Sequence, residues 1–430
     1  MNKQILNIAI PSIVSNITVP LCAMVDTIIA GHLGNVSYIG AIAVGGLLFN
    51  MTYWLFGFLR MGTSGLTAQT YGEGDKDKSR SVLLRSLLVA MALSLLLLAF
   101  QRLILHVAFQ FIEATPEVQT HASTYFNILI WGAPAVLSLY SFVGWFLGMQ
   151  NARFTMIIAI VQNVTNIIAS TFLVLFFHLK IEGVAVGTLV AQYVGLLLSV
   201  ALCYYRYRWV TRHFCWTMVF KKADFTRFFS VNRDIFLRTL CLIAVTTYFT
   251  SYGSAQGELT LAANTLLMQF FIIFSYVMDG FAYAGEAIGG KCYGERSLVR
   301  FSRLMKCLFV WGLGISLLFM LIYFVGGEKF LNLFTNDHIV ISQATNYLWY
   351  VYLLPLVSFS AFLFDGLYIG TTSTRYMLVS MLFAMVVFFV IVYTFHSDNH
   401  ILWTAFLAYL GMRGLMQFVL FKRVKKKFIV

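Results

Sequence analysis

The sequence predicts an all-α integral membrane protein with twelve transmembrane helices, arranged in two six-helix lobes that are related as parallel repeats. Composition is the first observation that supports this fold class. Hydrophobic residues make up 60% of the 430 positions and charged residues 11%, whereas soluble domains contain roughly half and roughly a quarter. A chain this apolar is expected to lie in a lipid bilayer rather than in water.

Apolar runs of about membrane-spanning length recur along the chain and define the individual helices. They are centred near residues 18, 52, 96, 134, 165, 195, 243, 273, 314, 356, 384 and 411. The short segments of alternating apolar and polar residues that predict an outer-membrane barrel are not found. Twelve such helices leave little room for a soluble domain.

The formal net charge of +13 is concentrated on one side of the twelve-helix arrangement. That side carries Lys76, Lys78, Arg80, Arg206, Arg208, Arg212, Lys221, Lys222, Lys291, Arg296, Arg300, Arg303 and the tail KRVKKK from Lys422. The other side keeps little beyond Arg102, Lys180 and Lys329. Because cytoplasmic loops are rich in Lys and Arg, both termini are predicted to be cytoplasmic. This distribution excludes nucleic acid as a partner and leaves membrane lipid as the expected contact of the basic segments.

The chain also resembles itself at a constant offset of 222 residues, the separation of Tyr71 and Tyr293. We call this separation the repeat offset. This offset places Tyr71–Glu73 on Tyr293–Glu295, and the register holds through residues 39–154 against 261–376 without a gap. Because each half contains six helices, an even number, both halves begin on the same side of the membrane. The halves are therefore predicted to be parallel repeats, related by an axis along the membrane normal.

The predicted domains follow from this repeat. They are an N-terminal six-helix lobe at 1–205, a cytoplasmic connection at 206–225, and a C-terminal six-helix lobe with a basic cytoplasmic tail at 226–430. Two lobes of this kind suit a transporter that works by alternating access. A complete pair of lobes in one chain predicts a functional monomer.

Cysteine and histidine give no sign of a metal site or a disulfide framework. The six cysteines are scattered singly, and the histidines form no cluster with ligand spacing, so no cofactor is expected. The chain contains no HExxH or GxSxG motif that would predict an intramembrane enzyme.

Four long stretches carry a resemblance to a known family. They are VDTIIAGHLG, NRDIFLRTLCL, LAANTLLMQFFIIFSYVMDGFAYAGEAIGG and FDGLYIGTTSTRYM. With these stretches the chain resembles the multidrug and toxic compound extrusion (MATE) family, and within it the DinF-like branch. The resemblance implies two lobes, a central cleft and a bacterial inner-membrane location. It also implies export of amphipathic, often cationic, organic compounds against inward flow of protons or sodium ions.

Asp26 is the first candidate site residue, because it is a single carboxylate inside the apolar stretch VPLCAMVDTIIAGHLG. A carboxylate at the centre of a membrane helix costs roughly 2.5 to 3.5 kcal/mol on insertion scales. The resemblance implies that Asp26 is the principal cation-responsive residue of the N-terminal lobe. Pro11 and Pro20 remove backbone hydrogen bonds and would let this helix bend. The alternative is a carboxylate that is merely capped by polar neighbours within the bundle.

The fifth predicted helix supplies candidate partners for Asp26. Asn163, Asn166 and Ser170 are spaced by three and four residues and share one helical face. The resemblance places Asn166 and Thr188 in the N-lobe cation site, but Ser170 stands where family members often have Asp. Without this second carboxylate, protons are expected as coupling ions rather than sodium ions. The alternative reading of the stripe is ordinary hydrogen bonding between helices.

The C-terminal half has its own membrane-embedded acids, Asp279 and Glu286, seven residues apart on one helical face, and Asp365. Arg238 is expected to pair with one of them, although Asp234 one turn earlier is an equally good neighbour. The resemblance places these positions in the interior of the C-terminal lobe. They would either hold a cationic substrate or form a buried charge network.

The sequence therefore predicts a secondary active antiporter that exports amphipathic or cationic organic small molecules in exchange for protons or sodium ions. The alternative is a flippase for lipid-linked oligosaccharide or lipid from the same superfamily. A flippase would need a basic central cavity for pyrophosphate. The membrane-core cations are few, mainly Arg60, Arg238 and Arg413, against four acids, which favours cationic cargo.

Overall fold

A computed structural model describes residues 1–31, 36–112, 115–211, 216–395, 398–426 and 428. Arg212 and Lys427, two of the basic residues used to predict orientation, lie outside this part of the chain, as do residues 32–34 of the VDTIIAGHLG stretch. The described residues form helices and connecting turns, with no strand among them. The prediction of an all-helical protein is confirmed for these residues.

The helices are numbered α1 to α17 in chain order. Their bounds are α1 Asn2–Gly31, α2 Val36–Leu55, α3 Phe58–Glu73, α4 Lys76–Ala99, α5 Gln101–Phe111, α6 Pro116–Leu129, α7 Ala133–Gly148, α8 Ala152–Phe176, α9 Ile181–Arg206, α10 Trp216–Val219, α11 Lys222–Ala255, α12 Glu258–Gly294, α13 Leu298–Phe334, α14 His338–Thr345, α15 Leu348–Gly370, α16 Thr374–Thr394 and α17 Asn399–Lys426. Two short 3₁₀ turns, Ile130–Gly132 and Arg208–Val210, complete the description.

Ten helical segments in the described part of the chain are long and apolar enough to cross a membrane. They are Ser37–Glu73, Lys76–Ala99, Pro116–Gly148, Ala152–Phe176, Ile181–Arg206, Glu258–Gly294, Leu298–Phe334, Leu348–Gly370, Thr374–Thr394 and Asn399–Lys426. Because a span needs about 20 mainly apolar residues, the protein is a multi-pass membrane protein.

The helices form two compact units. The N unit is Val14–Phe229, and the C unit is Met1–Ile13 together with Ser230–Val430. The continuous helix α1 therefore begins in the C unit and continues into the N unit, and α11 does the reverse. The described residues of the connection predicted at 206–225 belong to the N unit.

Close packing of α3 against α7 organises the N unit. At Gly144, an added Cβ would meet the backbone of Arg60, and at Gly148 it would lie 2.6 Å from the Thr67 Cβ and 2.7 Å from the Ser64 carbonyl oxygen. Only glycine lets two helix backbones approach this closely. The backbones of α3 and α7 are consequently in direct contact at these glycines.

The C unit repeats this packing between α12 and α15. An added Cβ at Gly366 would meet the backbone of Ala282, and one at Gly370 would meet that of Glu286 and Gly290. The repeat offset relates these residues to Gly144, Arg60, Gly148, Ser64 and Ala68 of the N unit. The same offset separates the first residues of α4 and α13, and those of α8 and α16.

Residues before and at the start of α11 are fastened to the N unit. Arg85, on α4, is buried and donates from Nε to the Val219 carbonyl at 3.1 Å and from Nη2 to the Met218 carbonyl at 3.3 Å. Phe228 is fully buried beside Leu66 and Val82. This segment is therefore part of the packed N unit.

Candidate functional site

Asp26 lies on α1 and is 7% exposed. Its carboxylate is within hydrogen-bonding reach of the Asn166 amide and the Thr188 hydroxyl, which come from α8 and α9 of the same N unit. The Asn166 Nδ2 donates to the Thr188 Oγ1 at 2.8 Å, and Thr188 in turn donates to the Val184 carbonyl at 3.0 Å. Three of the residues selected from the sequence are thus brought together on three helices.

The Asp26 carboxylate is only partly satisfied. Its Oδ1 is buried and has no hydrogen-bond partner among the residues that the structure describes. A buried oxygen without a donor is costly when the carboxylate is charged and much less so when it is protonated. The site therefore has the chemistry to accept a proton or another cation at one carboxylate oxygen.

Asn163 lies one turn before Asn166 on α8 but performs a different task. Its Nδ2 donates to the backbone carbonyl of Thr18 on α1 at 2.9 Å. This bond lies next to Pro20, which cannot donate to the preceding turn of the helix. Asn163 therefore ties α8 to the proline-containing part of α1, on the N-terminal side of Asp26.

Ser170 lies at the crossing of α8 and α9. It is fully buried, and its hydroxyl faces the Val184 carbonyl at 3.4 Å. An added Cβ at Gly187 would lie 2.5 Å from the Ser170 backbone nitrogen. The structure thus places Ser170 in a tight contact between helix backbones.

At the related positions of the C unit, the described residues do not repeat the Asp26 and Asn166 pair. The repeat offset relates Asp26 and Asn166 to aromatic side chains, namely Tyr248 and Phe388. The Tyr248 and Phe388 rings are in edge contact, with centroids 6.0 Å apart. The repeat thus preserves the placement of helices and not the chemistry at this point.

A separate cluster of charged residues fills the interior of the C unit. Asp365, on α15, accepts from Arg238 on α11 and from Arg413 on α17. Gln417 Nε2 donates to the other carboxylate oxygen, Asp365 Oδ1, at 2.5 Å. All four residues are at most 8% exposed. The Asp365 carboxylate is consequently surrounded by three donors.

The two partners considered for Arg238 are clearly distinguished. Asp234 accepts instead from the Thr374 hydroxyl at 3.1 Å and from Arg233 at 3.2 Å. Arg238 bonds to Asp365, which is 127 residues away in the chain. Asp234 and Arg238 lie one turn apart on α11 and therefore bond to different partners.

The remaining two acids lie on α12. Asp279 is half-buried and close enough to Arg413 for an electrostatic interaction. Glu286 is 1% exposed, next to the backbone contact between α12 and Gly370. The structure brings Asp279 toward the charged cluster and places Glu286 at a helix-packing position.

Gln417 is a site residue that sequence reasoning missed, and Arg413 was noted only as a membrane-core cation. Both lie on α17, four residues apart, and therefore face the same way. An arginine and a glutamine with this spacing inside an apolar run are a usable signal of a buried polar partner. No group of three or more His, Cys, Asp or Glu in the described ranges could hold a metal ion.

Comparison with known proteins agrees with this architecture. The MatE family model matches residues 11–172 and 235–394. DNA damage-inducible protein F of Escherichia coli K12 is 33% identical over 425 residues, covering 98% of this chain and 92% of that protein. A probable multidrug resistance protein NorM of Photorhabdus laumondii is 22% identical and covers 89% of this chain and 84% of its own.

Solved structures share the fold. An outward-facing multidrug resistance MATE family transporter of the MOP superfamily superposes with a TM-score of 0.85 at 17% identity, covering 100% of this chain and 97% of that one. The Vibrio cholerae MATE transporter VcmN in its bent form gives 0.85 at 15% identity, covering 99% and 97%. Because the family model matches most of the chain and a relative is 33% identical along nearly all of it, this protein belongs to the MatE family of membrane transporters.

Proposed function

We propose that the protein is a secondary active antiporter, which exports amphipathic or cationic organic compounds by alternating access in exchange for protons. The observation that carries this proposal is the buried Asp26 carboxylate with the Asn166 and Thr188 side chains beside it. Relatives described as multidrug resistance and multidrug export proteins support organic compounds as the cargo.

The proposed architecture is twelve transmembrane helices in two lobes related as parallel repeats. Beside the ten apolar segments, α1 and α11 contain 30 and 34 residues and are long enough to span a bilayer. Adding them gives six spans in each half of the chain. The matching glycine contacts in α7 and α15, which the repeat offset relates, support a repeat.

Coupling requires that the protonation of Asp26 differ between conformations. Burial disfavours the charged carboxylate, and contact with water or with a cation favours it. A tenfold difference in proton affinity between two conformations corresponds to about 1.4 kcal/mol of coupling. That is enough to shift a two-state equilibrium appreciably, and Pro11 and Pro20 give α1 positions at which to bend.

Protons are favoured over sodium ions by the composition of the cluster. It offers one carboxylate, one amide and one hydroxyl, whereas hard cations are usually held by several oxygen ligands, often with more than one carboxylate. The Ser170 hydroxyl is directed to the Val184 carbonyl at the helix crossing. A proton needs only the Asp26 carboxylate itself.

The flippase alternative is weakened by the charged cluster of the C unit. A pyrophosphate group would need free arginines, and both Arg238 and Arg413 are bonded to Asp365.

We further propose a functional monomer in a bacterial inner membrane, with both termini in the cytoplasm.

The test is efflux of a fluorescent organic cation from liposomes that contain the purified protein, under an imposed proton or sodium gradient. We expect proton-driven efflux by the wild type and at least a tenfold loss in Asp26→Asn. Asp75→Asn is the matched control, because Asp75 caps α4 by accepting from the Lys78 backbone amide and Asn is an equally good cap.

The outcomes distinguish proton coupling, sodium coupling and transport of a lipid-linked substrate. Normal proton-driven efflux by Asp26→Asn would reject Asp26 as the coupling residue. Efflux that follows only a sodium gradient would assign the cluster to a metal ion. No efflux of organic cations under either gradient by the wild type would reject the antiporter and favour a lipid-linked substrate.

A further inference from the structure

One membrane segment of the N unit is interrupted near its centre. The segment Pro116–Gly148 consists of α6 and α7, and the 3₁₀ turn Ile130–Gly132 separates them. The Ala133 amide donates to the Ile130 carbonyl, three residues back, and Pro134 has no amide hydrogen to donate. A 3₁₀ stretch inside a long helix often marks a functional hinge.

The related segment of the C unit has no such interruption. The repeat offset relates Ile130–Gly132 to residues 352–354, which lie inside the continuous helix α15. That helix passes through Pro355 without a break. A proline near this position is thus insufficient to break the helix, and the interruption in the N unit has a further cause.

Side chains of α9 provide this cause. The Gln192 amide lies directly against Gly132, where an added Cβ would overlap its Oε1 and would lie 3.3 Å from the Leu189 side chain. The next residue, Tyr193, donates from its hydroxyl to the Trp131 carbonyl at 2.8 Å. Two consecutive residues of α9 therefore hold the 3₁₀ turn, one by direct contact and one by a hydrogen bond.

Gln192 is itself incompletely bonded. It is 8% exposed, and its Oε1 has no hydrogen-bond partner among the residues that the structure describes. A buried carbonyl oxygen without a donor is unfavourable. A rearrangement that offers this oxygen a donor, such as a backbone amide released at the 3₁₀ turn, is therefore favoured. The contact between α9 and the turn thus suits two arrangements.

Gln192 also lies one turn away from the Asp26 cluster. Thr188 and Gln192 are four residues apart on α9 and share one face. Thr188 has a single hydroxyl hydrogen, which it donates to the Val184 carbonyl at 3.0 Å, while the Asp26 carboxylate is within reach. An ionised Asp26 competes for that hydrogen, because a charged acceptor forms the stronger bond. The charge of Asp26 therefore acts on α9 one turn before the residues that hold the 3₁₀ turn.

Asp26 is the group in this region that changes charge most readily. Its carboxylate is contacted by the Asn166 and Thr188 side chains, which do not titrate. The side chains that can carry charge and are connected to Tyr193 by electrostatic interactions are Tyr53, Tyr140 and Arg60. Tyrosine and arginine ordinarily titrate at about pH 10 and above.

We propose that the 3₁₀ turn between α6 and α7 is a hinge of this membrane segment, and that Gln192 and Tyr193 are positioning residues that link it to the charge of Asp26. The structure matches the protonated carboxyl, because the Asp26 Oδ1 has no donor among the described residues. Loss of the proton draws the Thr188 hydroxyl to Asp26, shifts α9 and releases the turn. This inference rests on the proposed coupling role of Asp26.

The test is hydrogen–deuterium exchange of the full-length protein in detergent, followed by mass spectrometry on peptides that contain the 3₁₀ turn. Rates at acidic and alkaline pH are compared after correction for the intrinsic rate of exchange. In the wild type, exchange at the turn should be at least threefold faster at alkaline pH, because the release of one hydrogen bond corresponds to a change of about twofold to tenfold. Asp26→Asn stays neutral and should show no such difference.

Variants of the two positioning residues separate their roles. Gln192→Leu keeps a side chain of similar size without the amide and should abolish the pH response of the turn. Tyr193→Phe removes only the hydroxyl and should make exchange at the turn about twofold to tenfold faster at both pH values. Tyr205→Phe is the matched control, because Tyr205 is 75% exposed on the same helix, and it should behave like the wild type.

Efflux under a proton gradient tests the contact at Gly132. Gly132→Ala should lower the rate of efflux in the wild-type background, because the added methyl group displaces the Gln192 amide. In the Gln192→Ala background the same change should cause no further loss, since the space of the amide is then free. This non-additivity isolates the contact between the two residues.

Three results would overturn the inference. The first is an exchange rate at the turn that does not change with pH in the wild type, or that changes equally in Asp26→Asn. The second is a full pH response in Gln192→Leu. The third is an equal loss of efflux from Gly132→Ala in both backgrounds.

Failure of the proposed function would give a different pattern. The exchange measurement uses neither a gradient nor a substrate. Normal proton-driven efflux by Asp26→Asn, together with loss of the pH response at the turn in that variant, would reject the proposed function and leave the link between Asp26 and the hinge intact.

Discussion

Asp365→Asn is expected to destabilise the C unit severely, because the Asp365 carboxylate is the shared partner of two buried arginines. Neutralising it leaves Arg238 and Arg413, which repel one another, without their common counter-ion. Asn can still accept a hydrogen bond from Gln417, so the loss is mainly electrostatic. Removing one partner of a buried ion pair costs about 3 to 5 kcal/mol in proteins, because the other charge stays buried.

The expected change in melting temperature follows from the size of the unit. The C unit consists of Met1–Ile13 and Ser230–Val430, and domains of about 150 to 250 residues lose about 2 to 4 °C for each kcal/mol. Asp365→Asn should therefore lower Tm by about 6 to 20 °C. The measurement is thermal unfolding of the purified protein in detergent, followed by tryptophan fluorescence.

Arg413→Met is the matched variant. It removes one cation and leaves Arg238 paired with Asp365 in a one-to-one ion pair, so its cost should be clearly smaller than that of Asp365→Asn. The double variant Asp365→Asn, Arg413→Met should recover part of the lost stability, since only one uncompensated arginine remains. Non-additivity of this sign measures the coupling between the two residues.

The opposite pattern would refute a structural role for this cluster. If Asp365→Asn melted like the wild type while the KM for an organic cation rose tenfold or more with kcat unchanged, the carboxylate would be binding substrate rather than holding helices. The assay thus decides between the two roles left open for the acids of the C-terminal half.

Two other predictions concern packing. Gly144→Val should lower the free energy of unfolding by about 1 to 3 kcal/mol, because the added side chain would overlap the Arg60 backbone. Gly46→Ala, whose added Cβ has nothing within 4 Å, should be neutral or stabilising by up to about 1 kcal/mol. Equal melting temperatures of the two variants would refute the contact at Gly144. Arg85→Ala removes the side chain that donates to the Met218 and Val219 carbonyls, so tryptic cleavage after Lys221 and Lys222 should become at least threefold faster. Arg102 is exposed, and Arg102→Ala is the control that should leave this cleavage rate unchanged.

The helices and several candidate site residues could be predicted from local sequence. Apolar runs predicted the helices because a helix that crosses lipid must satisfy its backbone internally and present apolar side chains. The stripe of Asn163 and Asn166 followed from the helical period alone. Asp26 stood out because a charged group in an apolar run is costly.

The partners of these residues required the tertiary structure. The sequence left Arg238 with two acids, and only the rotation of α11 against α15 and α17 directs it to Asp365. Ser170 belongs to the predicted polar stripe, yet the approach of α9 at Gly187 places it in a backbone contact.

An all-helical membrane protein, its family and the costly polar residues inside the membrane could be predicted from the sequence, because hydropathy and helical period are properties of a single segment. The family resemblance grouped Asn166 and Thr188 with Asp26, and the tertiary structure places both side chains within hydrogen-bonding reach of its carboxylate. That Arg413 and Gln417 complete the site around Asp365 is known from the tertiary structure only. Those pairings depend on the depth and rotation of one helix against another, which result from packing over the whole unit.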